Sequence, residues 1–160
     1  ASDLPVTEAE SEDPAGSARP GPRQGRTTTV ATYVSMGRSN HFRVRAVQPL
    51  KELVSGTGIE VEEEADNTVV LLDIEGTDWL ISSEDCEDDI YLPDVIAEHL
   101  QPGEVAVFQS IGNEKFRVLG GHSVAVNSDG EQVWVYLSDI YKKAAEHFGI
   151  APEAISLAEY

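Results

Sequence analysis

The densest run of potential ligands in this 160-residue chain is Glu84-Asp85-Cys86-Glu87-Asp88-Asp89. Read as a calcium loop from Asp85, it puts Glu87 and Asp89 at the third and fifth positions. The sixth position is then Ile90, where glycine is needed, and the twelfth is Ile96, where a bidentate Glu belongs. The pattern fails as a calcium site. Cys86 is the single cysteine, which leaves no internal disulfide and no thiolate-rich metal site. The carboxylates around it disfavour the thiolate that a nucleophile needs. His41, His99, His122 and His147 fall on four different expected elements and form no H-x-x-x-H or H-E-x-x-H pair. His99 and His147 lie on or beside apolar helix faces, where packing is the commoner role. Gly120-Gly121 is too short to cradle a phosphate, and no G-x-x-x-x-G-K-[ST] or G-x-S-x-G occurs. Carboxylate pairs are so abundant that none marks an acid–base dyad. The expectation is no catalytic residue, no metal and no cofactor.

Charge is the outlying property. The net formal charge is −18, and it is unevenly distributed. Residues 27–58 carry four bases and one acid, whereas residues 59–104 carry sixteen acids and no Lys or Arg. Carboxylates held together by a fold repel nucleic acid and attract the cationic groove of a protein that binds it. Glu62, Glu63, Glu64, Asp85, Asp88 and Asp89 are therefore the expected partner-binding residues. A solvated acidic face is the plainer alternative for such a run. Lysine occurs only at Lys51, Lys115, Lys142 and Lys143, against seven arginines. That bias also fits a salt-adapted surface, in which counterions screen the repulsion. Arg38-Ser39-Asn40-His41-Phe42-Arg43-Val44-Arg45 is the best candidate for touching nucleic acid, with Phe42 as the stacking residue. Its alternation puts Phe42 opposite Arg43, which favours a core role, and the overall charge opposes phosphate binding.

The elements that must position these residues follow from periodicity. Residues 1–26, rich in Pro and Gly, have too few large apolar groups to offset chain entropy and read as a disordered tail. A strand spans 28–36 and is broken by Gly37; residues 40–45 then alternate, with Phe42 and Val44 on one face. Val47, Leu50, Leu53 and Val54 mark a first helix, with Gly56 at its C-cap. A hairpin joins 59–62 to 69–74 through Asp66-Asn67, and a short strand covers 79–82. Pro93 opens a second helix with Val95, Ile96, His99 and Leu100 on one face. Strands follow at 105–111, 116–119, 122–126 and 132–137, with a turn at 112–114 and a bulge at Gly120-Gly121. A third helix starts from Ser138 as N-cap and buries Ile140, Ala144 and Phe148, with Tyr141 and Ala145 beside them. Short connections make the sheet largely antiparallel. The fold class is α+β: six to eight short strands with three helices packed on the sheet. The expected divisions are a tail at 1–26, one domain at 27–150 and an extension at 151–160.

The segment Arg38-Ser39-Asn40-His41-Phe42-Arg43-Val44 resembles the opening of a family of small uncharacterised proteins of phages, plasmids and integrative elements. The stretches 97–100, 103–108, 114–117 and 137–141 are similar to its later part. The resemblance covers roughly residues 30–148 and implies an accessory role in a mobile element, with no catalytic residue to carry over. The expected function is thus a non-catalytic acidic interaction protein of a virus or mobile element. Its partner would be a basic protein surface, such as that of a nucleic-acid-binding protein, with no direct contact to nucleic acid or membrane. Cytoplasmic residence follows as the default. The alternative is a salt-adapted housekeeping or structural domain whose acidity serves solubility.

Overall fold

The computed structural model describes residues 33–82 and 87–158. The tail expected at 1–26 and the start of the first expected strand lie outside the described residues, as do Asp85 and Cys86. Among the described residues nine strands and three α-helices follow in the order β1 (Val34–Ser39), β2 (Phe42–Arg43), α1 (Val47–Val54), β3 (Ile59–Glu63), β4 (Thr68–Asp73), β5 (Leu80–Ile81), β6 (Ile90–Tyr91), α2 (Leu92–Val95), β7 (Val105–Glu114), β8 (Val118–Asn127), β9 (Gln132–Tyr136) and α3 (Asp139–Phe148). Seven strands form one antiparallel sheet in which β4 lies between β3 and the β1–β2 segment, followed by β7, β8 and β9. Strands β5 and β6 make a separate hairpin. The α+β class expected from periodicity is the observed one.

Strands β1 and β2 are one strand with a kink. Arg38 pairs with Leu72 and Phe42 with Val69, so this strand holds one residue more than β4 between the two pairs. That is a β-bulge, and its side chains replace the lost ladder bonds. Ser39 Oγ accepts the Leu71 amide at 2.8 Å. Asn40 bonds β7 through its side chain, donating to the Val105 carbonyl at 3.1 Å and accepting the Val107 amide at 2.8 Å.

Alternation then sends Phe42, Val44, Val69, Leu71, Ala106, Phe108, Val124 and Val126 to one face, where all are buried. That face is covered by Val47, Leu50 and Val54 of α1, by Trp79 and Ile81, and by Leu92, Ile96 and Leu100. The second helix is shorter than its pattern suggests. One α-turn gives way to a 3₁₀ turn at Ile96–His99, and Val44 forms a bridge with Leu100 beyond it.

Three expectations need correction. Gly37 continues β1, because Trp79 closes over it: a Cβ there would meet the Trp79 ring at 2.9 Å and the Gln109 carbonyl at 2.8 Å. Strands β7 and β8 run unbroken through Gly112 and Gly120-Gly121 in one constant register, with neither a turn nor a bulge. Gly112 and Gly120 face each other because the Tyr33 ring lies over both. In α3, Ala145 is buried, but Ile140 and Phe148 are exposed.

Trp79 is seated by a buried carboxylate. Asp73, only 1 % exposed, accepts the Asp78 amide at 2.7 Å, the Thr77 amide at 2.8 Å and the Thr77 hydroxyl at 3.0 Å. It also accepts the Trp79 amide at 3.4 Å. These bonds hold Asp78 and Trp79 at φ values of 58° and 67°, a conformation uncommon outside glycine. Burying the whole indole against Phe108 offsets that strain. Overpacking at this contact costs 1–3 kcal/mol in general, so Gly37→Ala is expected to destabilise the protein by about 2 kcal/mol in urea unfolding.

Candidate interaction surfaces

The acidic residues separate into groups once folded. Glu62 and Glu63 end β3, an edge strand, and Glu64 follows; all three are exposed. Alternation aims Glu60 and Glu62 to the face away from the core, while Glu63 points to the α1 side. Two of the expected residues have basic neighbours: Glu63 meets Lys51 at 3.0 Å and Glu64 meets His41 at 3.0 Å. Asp88 and Asp89 are exposed between β5 and β6, where Asp89 accepts the Ser82 hydroxyl at 2.8 Å. They belong to the small hairpin, and among the described residues no hydrogen bond or ion pair joins them to the β3 group.

The basic segment is architectural. Arg43 donates from Nε and Nη2 to Glu104 Oε1 at 3.1 and 3.0 Å, while its own amide reaches Glu104 Oε2 at 2.9 Å. Arg45 Nε donates to the Leu100 carbonyl at 2.9 Å, and Arg38 Nε to the Ser39 carbonyl at 3.2 Å. Phe42 is 1 % exposed and cannot stack on a base. The run from Ser39 to Arg45 therefore makes the bulge, fills the core and ties β2 to the start of β7. Of the two histidines placed on helix faces, His99 is half-buried and His147 is exposed against Phe148.

An aromatic cluster escaped the sequence reading. Trp134 stacks on Tyr91 at 5.8 Å, on His122 at 5.5 Å and on Tyr136 at 5.7 Å between ring centroids. The available signal was the shared face of Trp134 and Tyr136 in β9. Asp78 lies beside it, accepting the Ser110 hydroxyl at 2.9 Å and standing 3.8 Å from His122 Nε2. A hydrolytic triad needs imidazole between serine and acid; here the acid is between the other two. Burial, with the charges of Asp78 and Asp94, pushes the Tyr91 phenol above its ordinary range and keeps it protonated. The cluster caps one end of the core as a hydrogen-bonded stack.

Comparison of the chain with protein-family models, curated proteins and solved structures gave no match.

The other face of the sheet is the more unusual surface. Its outward positions are Val34, Met36 and Arg38 on β1, and Thr68, Val70 and Leu72 on β4. On β7 they are Val105, Val107, Gln109, Ile111 and Asn113. On β8 they are Leu119, Gly121, Ser123, Ala125 and Asn127, and on β9 Val133 and Val135. None of these eighteen residues is Asp or Glu, in a chain that has 29 of them. Outward carboxylates in the main sheet belong to β3. Among the described residues, no group of three or more His, Cys, Asp or Glu side chains could hold a metal ion, and no helix is long and apolar enough to cross a membrane.

The Arg43–Glu104 lock carries a pH signature. Amide and guanidinium bonds from Arg43 hold the Glu104 carboxyl below the ordinary carboxylate range. A lowered folded-state value means stabilisation that is complete above the unfolded value, near 4.3, and is lost as pH falls through the folded one. Glu104→Gln should therefore cost about 1–2 kcal/mol at neutral pH. In urea unfolding that deficit should narrow steadily between pH 5 and pH 3.

Proposed function

We propose that this protein is a non-catalytic interaction module that presents the β3 edge to a cationic partner surface. The observation that supports this is the array Glu60, Glu62, Glu63, Glu64 and Asp66: five exposed acids within seven residues. Residues 59–63 are held in a continuous ladder to β4, so most of the array is fixed by backbone hydrogen bonds. Glu60 and Glu62 project from the same side about 6.5–7 Å apart, as alternate residues of a strand do. Such an array lowers the cost of meeting a basic groove, because ordering is complete before the partner arrives. Long-range attraction adds a fast association rate.

Asp88 and Asp89 stand apart on the β5–β6 hairpin and serve the same field at longer range. Lys51 and His41 belong to the edge as well: their pairs with Glu63 and Glu64 are solvent-exposed and readily exchanged for a partner's arginines. The partner class that fits is a basic nucleic-acid-binding protein, whose groove is shaped for anions. The similarity of residues 38–44 to mobile-element proteins supports an accessory role of that kind, such as inhibition of a defence nuclease.

A short polyarginine peptide serves as the probe. Three exposed pairs at about 0.5 kcal/mol each make roughly a tenfold effect. The triple variant Glu60→Gln, Glu62→Gln, Glu64→Gln should therefore bind the peptide about tenfold more weakly. Neutralising Glu131, Glu146 and Glu153 should change affinity less than twofold, and binding should weaken steadily with KCl. Equal losses from both triples would mean diffuse attraction with no site on β3. A melting temperature that climbs steeply up to molar KCl would favour the salt-adapted alternative.

A further inference from the structure

The carboxylate-free face carries exposed apolar side chains on β1, β7, β8 and β9. Val34 and Met36 of β1, Ile111 of β7 and Leu119 of β8 are each 57–63 % exposed. Leu137, whose amide extends the β9 ladder to the Gly121 carbonyl, is 57 % exposed. Three shallow grooves run over this surface and share Ile111. One lies between Met36, Leu119 and Leu137; a second passes Leu72 and Ile74; the third reaches Val135, Ile140 and Lys143. With Ile74, Val133, Val135 and Ile140 included, nine apolar residues on this surface are more than half exposed. Solitary exposed apolar residues need no explanation, but a cluster of nine does.

We propose that this face is a homodimer interface, in which two copies pack sheet on sheet. The argument for a second copy is electrostatic. Two chains of −18 repel each other, and contact through almost any other surface would bury or crowd carboxylates. Across the five strands β4, β1, β7, β8 and β9 they can meet without burying one. The borders of the face are also complementary in sign. Glu60 and Glu62 project at the β3 border, and at the opposite, β9 border the groove is lined by Lys143 together with Asp139, whose carboxylate accepts the Tyr136 amide at 2.8 Å. A two-fold axis lying between the sheets and parallel to the strands brings the β3 border of each copy over the β9 border of its partner. Each sign then meets its opposite twice, as an isologous interface requires. Aligned sheets stack at about 10 Å, a spacing that apolar side chains from both layers fill.

This inference does not rest on the acidic edge, and the two respond oppositely to salt. Screening weakens capture of a cationic peptide, whereas it removes repulsion between two acidic chains and tightens the dimer. Sedimentation velocity on the full chain over a concentration series, at low and high KCl, reads the difference. The expected result is a species of twice the 17.3 kDa chain mass, with self-affinity rising with salt. Ile111→Glu and Leu137→Glu, made separately, should each weaken it by about 100-fold or more, because the charge enters the interface from both copies. Leu80→Asp lies on the β5–β6 hairpin over the other face and should leave the dimer intact. Circular dichroism confirms that each variant is folded, and either face variant suffices should the other unfold. A folded wild-type chain that stays at 17.3 kDa at high salt overturns the proposal, whether another protein or this chain's own N-terminal segment covers the face. A dimer insensitive to both face variants overturns it equally.

Discussion

A net charge of −18 has to be distributed over a small sheet protein without tearing it open, and that constraint organises the molecule. Carboxylates gain most where water and counterions reach them, and they repel one another over about a Debye length, near 10 Å. Edge strand β3, the turn after it and residues Glu87, Asp88 and Asp89 before β6 satisfy this requirement, since their side chains are exposed. Among the described residues the one deeply buried carboxylate, Asp73, is satisfied by amides and a hydroxyl and closes the turn that seats Trp79. Ordinary solvation has no need to keep every acid off the outward face of five neighbouring strands. That face leaves Val34, Met36, Ile111 and Leu119 more than half exposed in a chain this acidic, which is what the proposed dimer accounts for.

The strands were legible wherever burial depends on local alternation. Phe42 and Val44, Ile59 and Val61, and Val124 and Val126 announced their faces because side chains alternate with period two. Glycine misled where its role depends on a distant ring. Gly37 reads as a breaker until Trp79 is seen lying on it, and Gly112 and Gly120 read as turn and bulge until Tyr33 is seen covering them. The stripe of α3 was also legible, but Ile140 and Phe148 meet no core in the single chain. Amphipathic spacing declares that a face is apolar and says nothing about what it packs against.

The site was legible in composition and opaque in placement. Counting acids found the block at 59–104, yet Glu104 is consumed by Arg43, and Asp73 by the Trp79 turn. Glu62, Glu63 and Glu64 do share an edge, and Asp88 and Asp89 lie on another element. The motif around residues 38–45 looked functional because it gathers polar and basic residues at a bend. Ser39 and Asn40 instead replace bonds that the bulge removes, and Arg43 and Arg45 anchor Glu104 and the Leu100 carbonyl. The carboxylate-free face could not be found by counting, because it is assembled from five segments through strand order. On the two proposals, acidic edge and bare face would make contacts of two kinds, one strengthened by low salt and the other by high salt.

Met36 gives the most direct test, since it is the only methionine and sits 61 % exposed at the middle of the bare face. Peroxide converts an accessible thioether to the sulfoxide, adding one oxygen that mass spectrometry counts. If that face is covered in solution, Met36 in the full chain should oxidise at least several-fold more slowly than in Ile111→Glu. Oxidation of the wild type as fast as that of a free methionyl peptide would contradict the account, because the face would then be open to water.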